Sequence, residues 1–307
     1  MESDLTRQPV VELESVSRRF GATLALDSVS LRVPEGVVFG LVGTNGAGKT
    51  TLIKHVMGQL RAARGRVSVF GLDPATHPTQ VLAQIGYLSE TGELPEWMRL
   101  HELLRFTRAF YPGWDESYAD SLLRTFELSP EKRVQQLSKG QRARLGLVLA
   151  LAPRPRLLVL DEPSSGLDPL VRRDILRAII RTIAEEGRTV IFSSHLLEEV
   201  ERVADHVAII DRGRVIQNDD LETLKASFHR VVLRFDTPVS GRPLIDGCFN
   251  WQGSDRQWST YYRGASREIE ERIRGSGAEV IDWQAPTLPE IFLALLDARR
   301  SGIGSQA

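Results

Sequence analysis

Apolar residues follow two different spacings in the first two thirds of the chain. Short apolar runs of strand length alternate with longer segments in which apolar residues recur every three or four positions. Four of the runs predict buried strands, at 37–42, 156–160, 190–193 and 207–210. Two of the segments predict helices, at 52–60 and 170–185. Strands and helices that alternate in this way predict a mostly parallel sheet covered by helices.

Three stretches of the same region follow other patterns. Residues 11–14 and 28–33 alternate apolar and polar positions, which is typical of a half-exposed antiparallel sheet. Between about 91 and 136 the pattern is helical and contains no predicted strand. The predicted fold class is therefore an α/β core with an antiparallel β subdomain and an inserted helical subdomain.

The pattern changes after residue 217. Four short segments predict strands, at 231–235, 248–251, 259–262 and 279–283, and two predict helices, at 266–274 and 289–298. Three of the five tryptophans lie here, and a packed aromatic core explains them better than a ligand pocket. They are Trp251, Trp258 and Trp283. We predict two domains, residues 1–217 and a small accessory α+β domain at 218–307 that carries no chemical motif.

Composition and charge limit the class of protein. The longest stretch without Asp, Glu, Lys or Arg runs from 74 to 89, whereas a membrane span needs ~20 mostly apolar residues. The amino-terminal ten residues lack the apolar block of a secretory signal, so we predict neither a transmembrane helix nor a signal peptide. The single cysteine, Cys248, fits a reducing compartment. With 39 basic and 40 acidic residues, we expect no nucleic-acid partner.

Residues 43–50 carry the most specific motif. They spell Gly-Thr-Asn-Gly-Ala-Gly-Lys-Thr between a predicted strand and a predicted helix, as a phosphate loop requires. Backbone N–H groups of such a loop, with the positive end of the helix dipole, surround phosphates. Lys49 would contact the β- and γ-phosphates, and the Thr50 hydroxyl would bind Mg²⁺. The expected phosphate-binding residues are Gly43, Thr44, Asn45, Gly46, Ala47, Gly48, Lys49, Thr50 and Thr51.

An acidic pair completes this half of the site. The apolar run at 156–160 is followed by Asp161 and Glu162. Asp161 would hold Mg²⁺ beside the phosphate loop, and Glu162 would orient and deprotonate the attacking water. Acidic residues are common at strand ends, so the pair alone would be weak evidence for a nucleotide site. Together with the phosphate loop it predicts a P-loop NTPase (RecA-like) core, and the next motif separates an ATPase from kinases and GTPases.

A second anion-binding element begins at residue 137 with Leu-Ser-Lys-Gly-Gln. Ser138 is placed as the N-cap of a helix that stops at Pro153, and a helix start with serine and glycine is an anion site. At this point the chain resembles the nucleotide-binding subunits of ABC transporters, whose signature is LSGGQ. The resemblance covers about residues 10–217.

Other landmarks of that family follow in its order. Phe20 is the candidate adenine-stacking aromatic, residues 165–168 (Ser-Gly-Leu-Asp) match the D-loop, and His195 matches the switch histidine. On its own, His195 would be an ordinary strand-end residue; its place in this series favours a functional role. The segment at 286–292 resembles the terminal element of the exporter-type branch, which serves small permeases that carry drugs, peptides, lipids or glycans.

The resemblance implies an ATP site shared between two head-to-tail subunits. Residues expected to contact ATP, or to close the site from the partner, are Phe20, Ser138, Gly140, Gln141 and Asp168. Those with an implied catalytic role are Lys49, Glu162 as general base, and His195 on the γ-phosphate. The implied Mg²⁺ ligands are Thr50, Asp161 and an assisting Glu90. Each motif occurs once, so a homodimer would have two competent sites.

Two positions depart from the family pattern. Lys139 replaces one signature glycine, and its ammonium would either add charge near a γ-phosphate or lie in solvent. Glu90 stands where the Q-loop usually has glutamine. A glutamate can still reach Mg²⁺ or its water, but the details of metal coordination and of coupling to the helical subdomain change.

The function implied by the resemblance is hydrolysis of ATP to ADP and phosphate, coupled to transport across the cytoplasmic membrane, with export indicated by the branch. The transport path would belong to a separate permease, so the chain would be cytoplasmic and peripherally associated with the inner face of the membrane. Two alternatives remain open. One is a soluble ABC-type ATPase acting on ribosomes or DNA, and the other is a regulatory module in which residues after 217 bind a partner.

Overall fold

The computed structural model describes residues 9–90 and 93–300. The chain divides into two compact units, with the boundary between Asn218 and Asp219. Each unit has a hydrophobic core of its own. Among the described residues, no helix combines the length and the apolar character needed to cross a bilayer.

The first unit contains nine strands and seven α-helices among its described residues. The strands are β1 (Val11–Phe20), β2 (Thr23–Val33), β3 (Val38–Val42), β4 (Arg64–Val69), β5 (Ile85–Leu88), β6 (Leu157–Asp161), β7 (Thr189–Ser194), β8 (His206–Asp211) and β9 (Arg214–Asp220). The helices are α1 (Lys49–Val56), α2 (Pro78–Leu82), α3 (Leu100–Arg108), α4 (Glu116–Thr125), α5 (Lys139–Leu151), α6 (Pro169–Glu186) and α7 (Leu197–Val203). A 3₁₀ turn at Val134–Gln136 precedes α5.

Two sheets organise this unit. The larger has the order β5-β6-β7-β3-β8-β9, and its pairings from β5 to β8 are parallel. The smaller is antiparallel, with the order β2-β1-β4. Every residue of β3, β6 and β7 is buried, as expected of parallel strands covered on both faces. The predicted α/β core with an antiparallel β subdomain is confirmed.

The strand order positions the site. Because β6, β7 and β3 are adjacent and parallel, their carboxyl ends meet at one edge of the sheet, where ligands of such folds bind. The phosphate loop follows β3, Asp161 ends β6, and His195 follows β7. Three separate parts of the sequence therefore converge.

The helices α3 and α4 lie between β5 and α5. Leu100, Leu103 and Leu104 of α3 are buried, and so are Leu122 and Leu123 of α4. Residues 91 and 92 of the predicted helical subdomain lie outside the described residues. The described remainder of that range contains these two helices and the 3₁₀ turn.

The second unit is α+β. Its strands are β10 (Phe228–Phe235), β11 (Cys248–Ser254), β12 (Gln257–Arg263) and β13 (Ala278–Gln284), and its helices are α8 (Leu221–Ser227), α9 (Ser266–Arg274) and α10 (Leu288–Arg300). The strands form an antiparallel sheet, with the order β11-β12-β10-β13. Trp258 and Cys248 belong to its buried core, against which Trp251 and Trp283 pack. Trp258 is buried as core packing predicts, whereas Trp251 also lines a cavity of about 690 Å³ in this unit.

Candidate nucleotide site

The phosphate loop ends in an unusual helix start. Gly48 is the N-cap of α1 with φ of 116°, and no side chain caps the helix. A Cβ at this position would lie 2.7 Å from the carbonyl oxygen of Ala25, so glycine is required both by conformation and by space. The first-turn N–H groups of α1 thus have no side-chain acceptor, which suits an anion.

Lys49 lies across the base of the loop and is 5 % exposed. Its Nζ donates to the carbonyl oxygen of Gly43 at 2.7 Å and lies 3.4 Å from that of Thr44. The same ammonium is 3.1 Å from Oε1 of Glu162. The loop therefore surrounds a buried positive charge.

One carboxylate oxygen of Asp161 accepts hydrogen bonds from two hydroxyl groups. Ser193 Oγ donates to Asp161 Oδ1 at 2.7 Å, and Thr50 Oγ1 donates to the same atom at 3.4 Å. Burial raises the pKa of the Asp161 carboxyl above its usual value, and the hydrogen bonds from Ser193 and Thr50 oppose that shift. A carboxylate next to a hydroxyl supplies the oxygen ligands that Mg²⁺ prefers. Among the described residues there is no cluster of three or more His, Cys, Asp or Glu that could hold a metal.

Glu162 is strained and tightly surrounded. It has φ of 48° and is 6 % exposed. Its N–H donates to Ser193 Oγ at 3.0 Å, and its Oε2 lies 2.6 Å from Nδ1 of His195. Its Oε1 faces Lys49 at ion-pair distance without forming an aligned hydrogen bond. A non-glycine residue in the left-handed region persists where its surroundings enforce it, and here the contacts with Ser193 and His195 do so.

A cleft of about 620 Å³, here called the nucleotide cleft, opens over the phosphate loop. Its lining residues are Thr23, Leu24, Ala25, Asn45, Gly46, Ala47, Gly48, Lys49, Thr50, Thr51, Glu90, Glu162 and Arg212. Gly43 and Thr44 lie beneath it as acceptors for Lys49. Phe20 is not among the lining residues; it is 45 % exposed, and the Arg18 guanidinium lies 4.9 Å from its ring centroid.

The predicted partner-facing residues form a different cluster. Ser138 Oγ accepts from Gln141 N at 3.2 Å, and Gln141 Oε1 accepts from Ser138 N at 3.1 Å, a capping box at the start of α5. Asp168 Oδ1 accepts from the first-turn amides of α6 at 3.0 and 3.1 Å. Neither Gly140 nor these three residues line the nucleotide cleft.

Lys139 is exposed, and its side chain reaches a neighbouring turn. Its Nζ donates to the carbonyl oxygen of Ser165 in the same chain at 3.1 Å. Glu90 is exposed and lies in the lining of the nucleotide cleft.

Sequence reasoning missed two contributions to the site. Ser193 was not predicted to bridge Asp161 and Glu162. The cleft wall formed by residues 23–25 and Arg212 was also not predicted. The Arg-Gly pair at 212–213 was the available signal, since glycine marks turns. In the structure, Gly213 N donates to Ala47 O of the phosphate loop at 2.8 Å.

A phosphate loop, a buried acidic pair and a histidine at the carboxyl edge of a parallel sheet define a P-loop nucleoside triphosphatase. The family model described as ABC transporter matches residues 26–165. The ABC transporter ATP-binding protein YtrB of Bacillus subtilis is 31% identical, over 95% of this chain and 99% of that protein. The daunorubicin resistance ATP-binding protein DrrA3 of Streptomyces coeruleorubidus is 34% identical, over 94% and 97%. The bacitracin transport ATP-binding protein BcrA of Bacillus licheniformis is 30% identical, over 77% and 78%.

Solved structures give the same result. The structure of an ATP-binding subunit of an ABC transporter aligns with a TM-score of 0.65 and 32% identity, covering 70% of this chain and 92% of that one. The dimeric structure of a bacterial ABC transporter cassette aligns with a TM-score of 0.62 at 22% identity, over 69% and 98%, and so supports the fold. The chain belongs to the family of ABC transporter ATP-binding proteins. It is an ABC-type ATPase, and the predicted P-loop NTPase fold is confirmed.

Proposed function

We propose that this chain is the ATP-hydrolysing subunit of an exporter and acts as a head-to-tail homodimer on a separate membrane permease. The observation that carries the hydrolytic part of the proposal is the position of the Glu162 carboxylate, 3.1 Å from Lys49 Nζ and 2.6 Å from His195 Nδ1. A buried carboxylate at the phosphate end of the cleft is suited to accept a proton from an attacking water.

Each side chain of this cluster has a distinct role in the proposal. Lys49 neutralises the β- and γ-phosphates, and as its Nζ turns to them Oε1 of Glu162 becomes free to accept the proton of water. His195 orients Glu162 through Oε2 and contacts the γ-phosphate. Thr50 and Asp161 would hold Mg²⁺, with Glu90 assisting, and the ion would neutralise charge on the phosphate oxygens. Phe20 stacks on adenine beside the cleft wall.

The second half of the ATP site comes from another copy. Ser138, Gly140, Gln141 and Asp168 do not line the nucleotide cleft of their own chain. The start of α5 nevertheless has the glycine, the N-cap and the helix dipole of an anion site. The dimeric cassette among the structural neighbours supports an arrangement in which these residues close the partner's cleft.

Export is supported by the relatives. Two of them carry names that refer to daunorubicin resistance and to bacitracin transport. In this proposal residues 1–217 are the motor, 218–307 are an accessory domain, and the protein lies on the inner face of the cell membrane, bound to the permease. Release of the γ-phosphate loosens the dimer, and the helical subdomain transmits that movement.

The test is Glu162→Gln, with the exposed Glu198→Gln as the matched control. Loss of a general base costs roughly 10²–10⁴-fold in turnover. We expect the Glu162 variant to lose hydrolysis, retain ATP and elute as a dimer in size-exclusion chromatography with ATP and Mg²⁺. Full ATPase activity in this variant would contradict the assignment of the base. A variant that binds ATP but stays monomeric would contradict the shared site.

A further inference from the structure

Lys139 connects two elements that one copy presents to its partner. It is the first residue of α5, directly after the N-cap Ser138. Its Nζ donates to the Ser165 carbonyl at 3.1 Å. Ser165 belongs to the turn that leads from Glu162 to Asp168, and its own N–H donates to the Glu162 carbonyl at 3.1 Å. The lysine thus bonds the signature to the backbone that follows the catalytic acid.

The turn is shaped to receive this ammonium. Gly166 has φ of 64°, and a Cβ on it would collide with Lys139 Nζ. The fit is also close one residue further along α5, where a Cβ on Gly140 would lie 2.8 Å from Cγ2 of Val171 in the first turn of α6. The start of α5 therefore lies close to both the turn before α6 and the beginning of α6 itself. A glycine at position 139 has no donor that reaches this carbonyl.

We propose that Lys139 is a positioning residue that keeps the signature end of α5 and the D-loop of the same chain in one fixed arrangement. Hydrogen bonds from a charged donor are stronger than neutral ones, and this one joins α5 to the backbone of the turn. The signature and the D-loop then approach a partner copy as a single surface. This inference rests on the proposed dimeric function, in which both elements act on the partner's ATP.

The contact itself is tested in the nucleotide-free protein by Lys139→Met, Lys139→Arg and the control Lys132→Met, which removes an exposed lysine elsewhere. Hydrogen exchange of the amides at 165–168 is measured by mass spectrometry. We expect exchange to accelerate severalfold in Lys139→Met, to return most of the way in Lys139→Arg, and to stay unchanged in the control. Unchanged exchange in Lys139→Met would overturn the proposal, whatever the kinetics show.

The consequence for turnover is tested by steady-state kinetics. We expect Lys139→Met to lower kcat roughly fivefold, the effect of about one exposed hydrogen bond, and to reduce the Hill coefficient for ATP. Binding of ATP to the monomer should remain within about twofold of wild type, since Lys139 lies outside the nucleotide cleft. Faster exchange with wild-type kcat and Hill coefficient would contradict a positioning role.

Gly166→Ala provides an independent test of the contact between Lys139 and the turn. Its added methyl displaces the ammonium, so Gly166→Ala and Lys139→Met should fail to add when combined. Additive losses in kcat would contradict the contact. If Glu162→Gln does not form a dimer with ATP, the proposed function fails by itself, and the exchange experiment still decides whether Lys139 positions the turn.

Discussion

Two helix starts in the first unit belong to the proposed ATP site, and they are built in opposite ways. The start of α1 has Gly48 in the left-handed region, no side-chain cap and a buried lysine. The start of α5 has an exposed serine in a complete capping box. An uncapped start is incomplete until a ligand arrives, whereas a capped start is stable without one. We infer that α1 binds nucleotide first and that α5 joins an already filled site.

The largest expected effect comes from removing the buried positive charge of Lys49 at the start of α1. Lys49→Ala should lower ATP hydrolysis by roughly 10²–10³-fold, the cost of removing one preorganised electrostatic contact to the transition state. Lys54→Ala, in the last turn of the same helix and exposed, is the matched control. Coupled-enzyme ATPase assays and fluorescent-nucleotide binding measure both variants. Equal activity in the two variants would show that the buried lysine has no special role.

A smaller effect is expected when the α5 side is blocked. Ser138→Arg should prevent ATP-driven dimerisation and lower turnover about tenfold or more, the factor that corresponds to 1.4 kcal/mol of lost interface energy. ATP binding to the monomer should change little, since Ser138 lies outside the nucleotide cleft. Light scattering with and without ATP gives the oligomeric state, and titration gives the affinity. A weakened monomer affinity would mean that both helix starts serve the same cleft.

The smallest effect concerns the free energy of unfolding. A substitution at Asp161 should raise it, whereas one at Ser138, the N-cap of α5, should lower it. Burial raises the folded-state pKa of Asp161, so the carboxyl contributes less stability as pH rises above its unfolded value. Asp161→Asn removes that cost and should stabilise the nucleotide-free protein near pH 7 by roughly 0.5–2 kcal/mol. Ser138→Ala should destabilise it by about 1 kcal/mol, since it loses a cap.

Thermal unfolding across pH measures both changes. The gain from Asp161→Asn should shrink as pH falls below the raised folded-state pKa and disappear below pH ~3, where the wild-type carboxyl is protonated in either state. A gain that does not depend on pH would show that charge burial is not its cause.

The residues around the start of α1 could be predicted because each of their two motifs is a short, continuous stretch of sequence. The phosphate loop and the Asp161–Glu162 pair are recognisable from the residues within each motif and from the predicted strand that precedes each of them. Ser193 and Arg212 were missed because pairing of β7 beside β6 and the turn after β8 bring them to the site. The strand β4 was missed because its first three residues are exposed and break the alternation. This segment forms a strand because its backbone pairs with β1, a contact that its own residue pattern does not predict.

The single thiol of the chain has a practical consequence. Cys248 is 7 % exposed in the core of the second unit, and burial raises its pKa to about 11. Only a thiolate reacts rapidly with maleimides, so this residue is nearly inert at neutral pH. A cysteine introduced at an exposed position near the start of α5 would therefore be the only fast-labelling site. The wild-type background accepts spectroscopic probes without removal of its native cysteine.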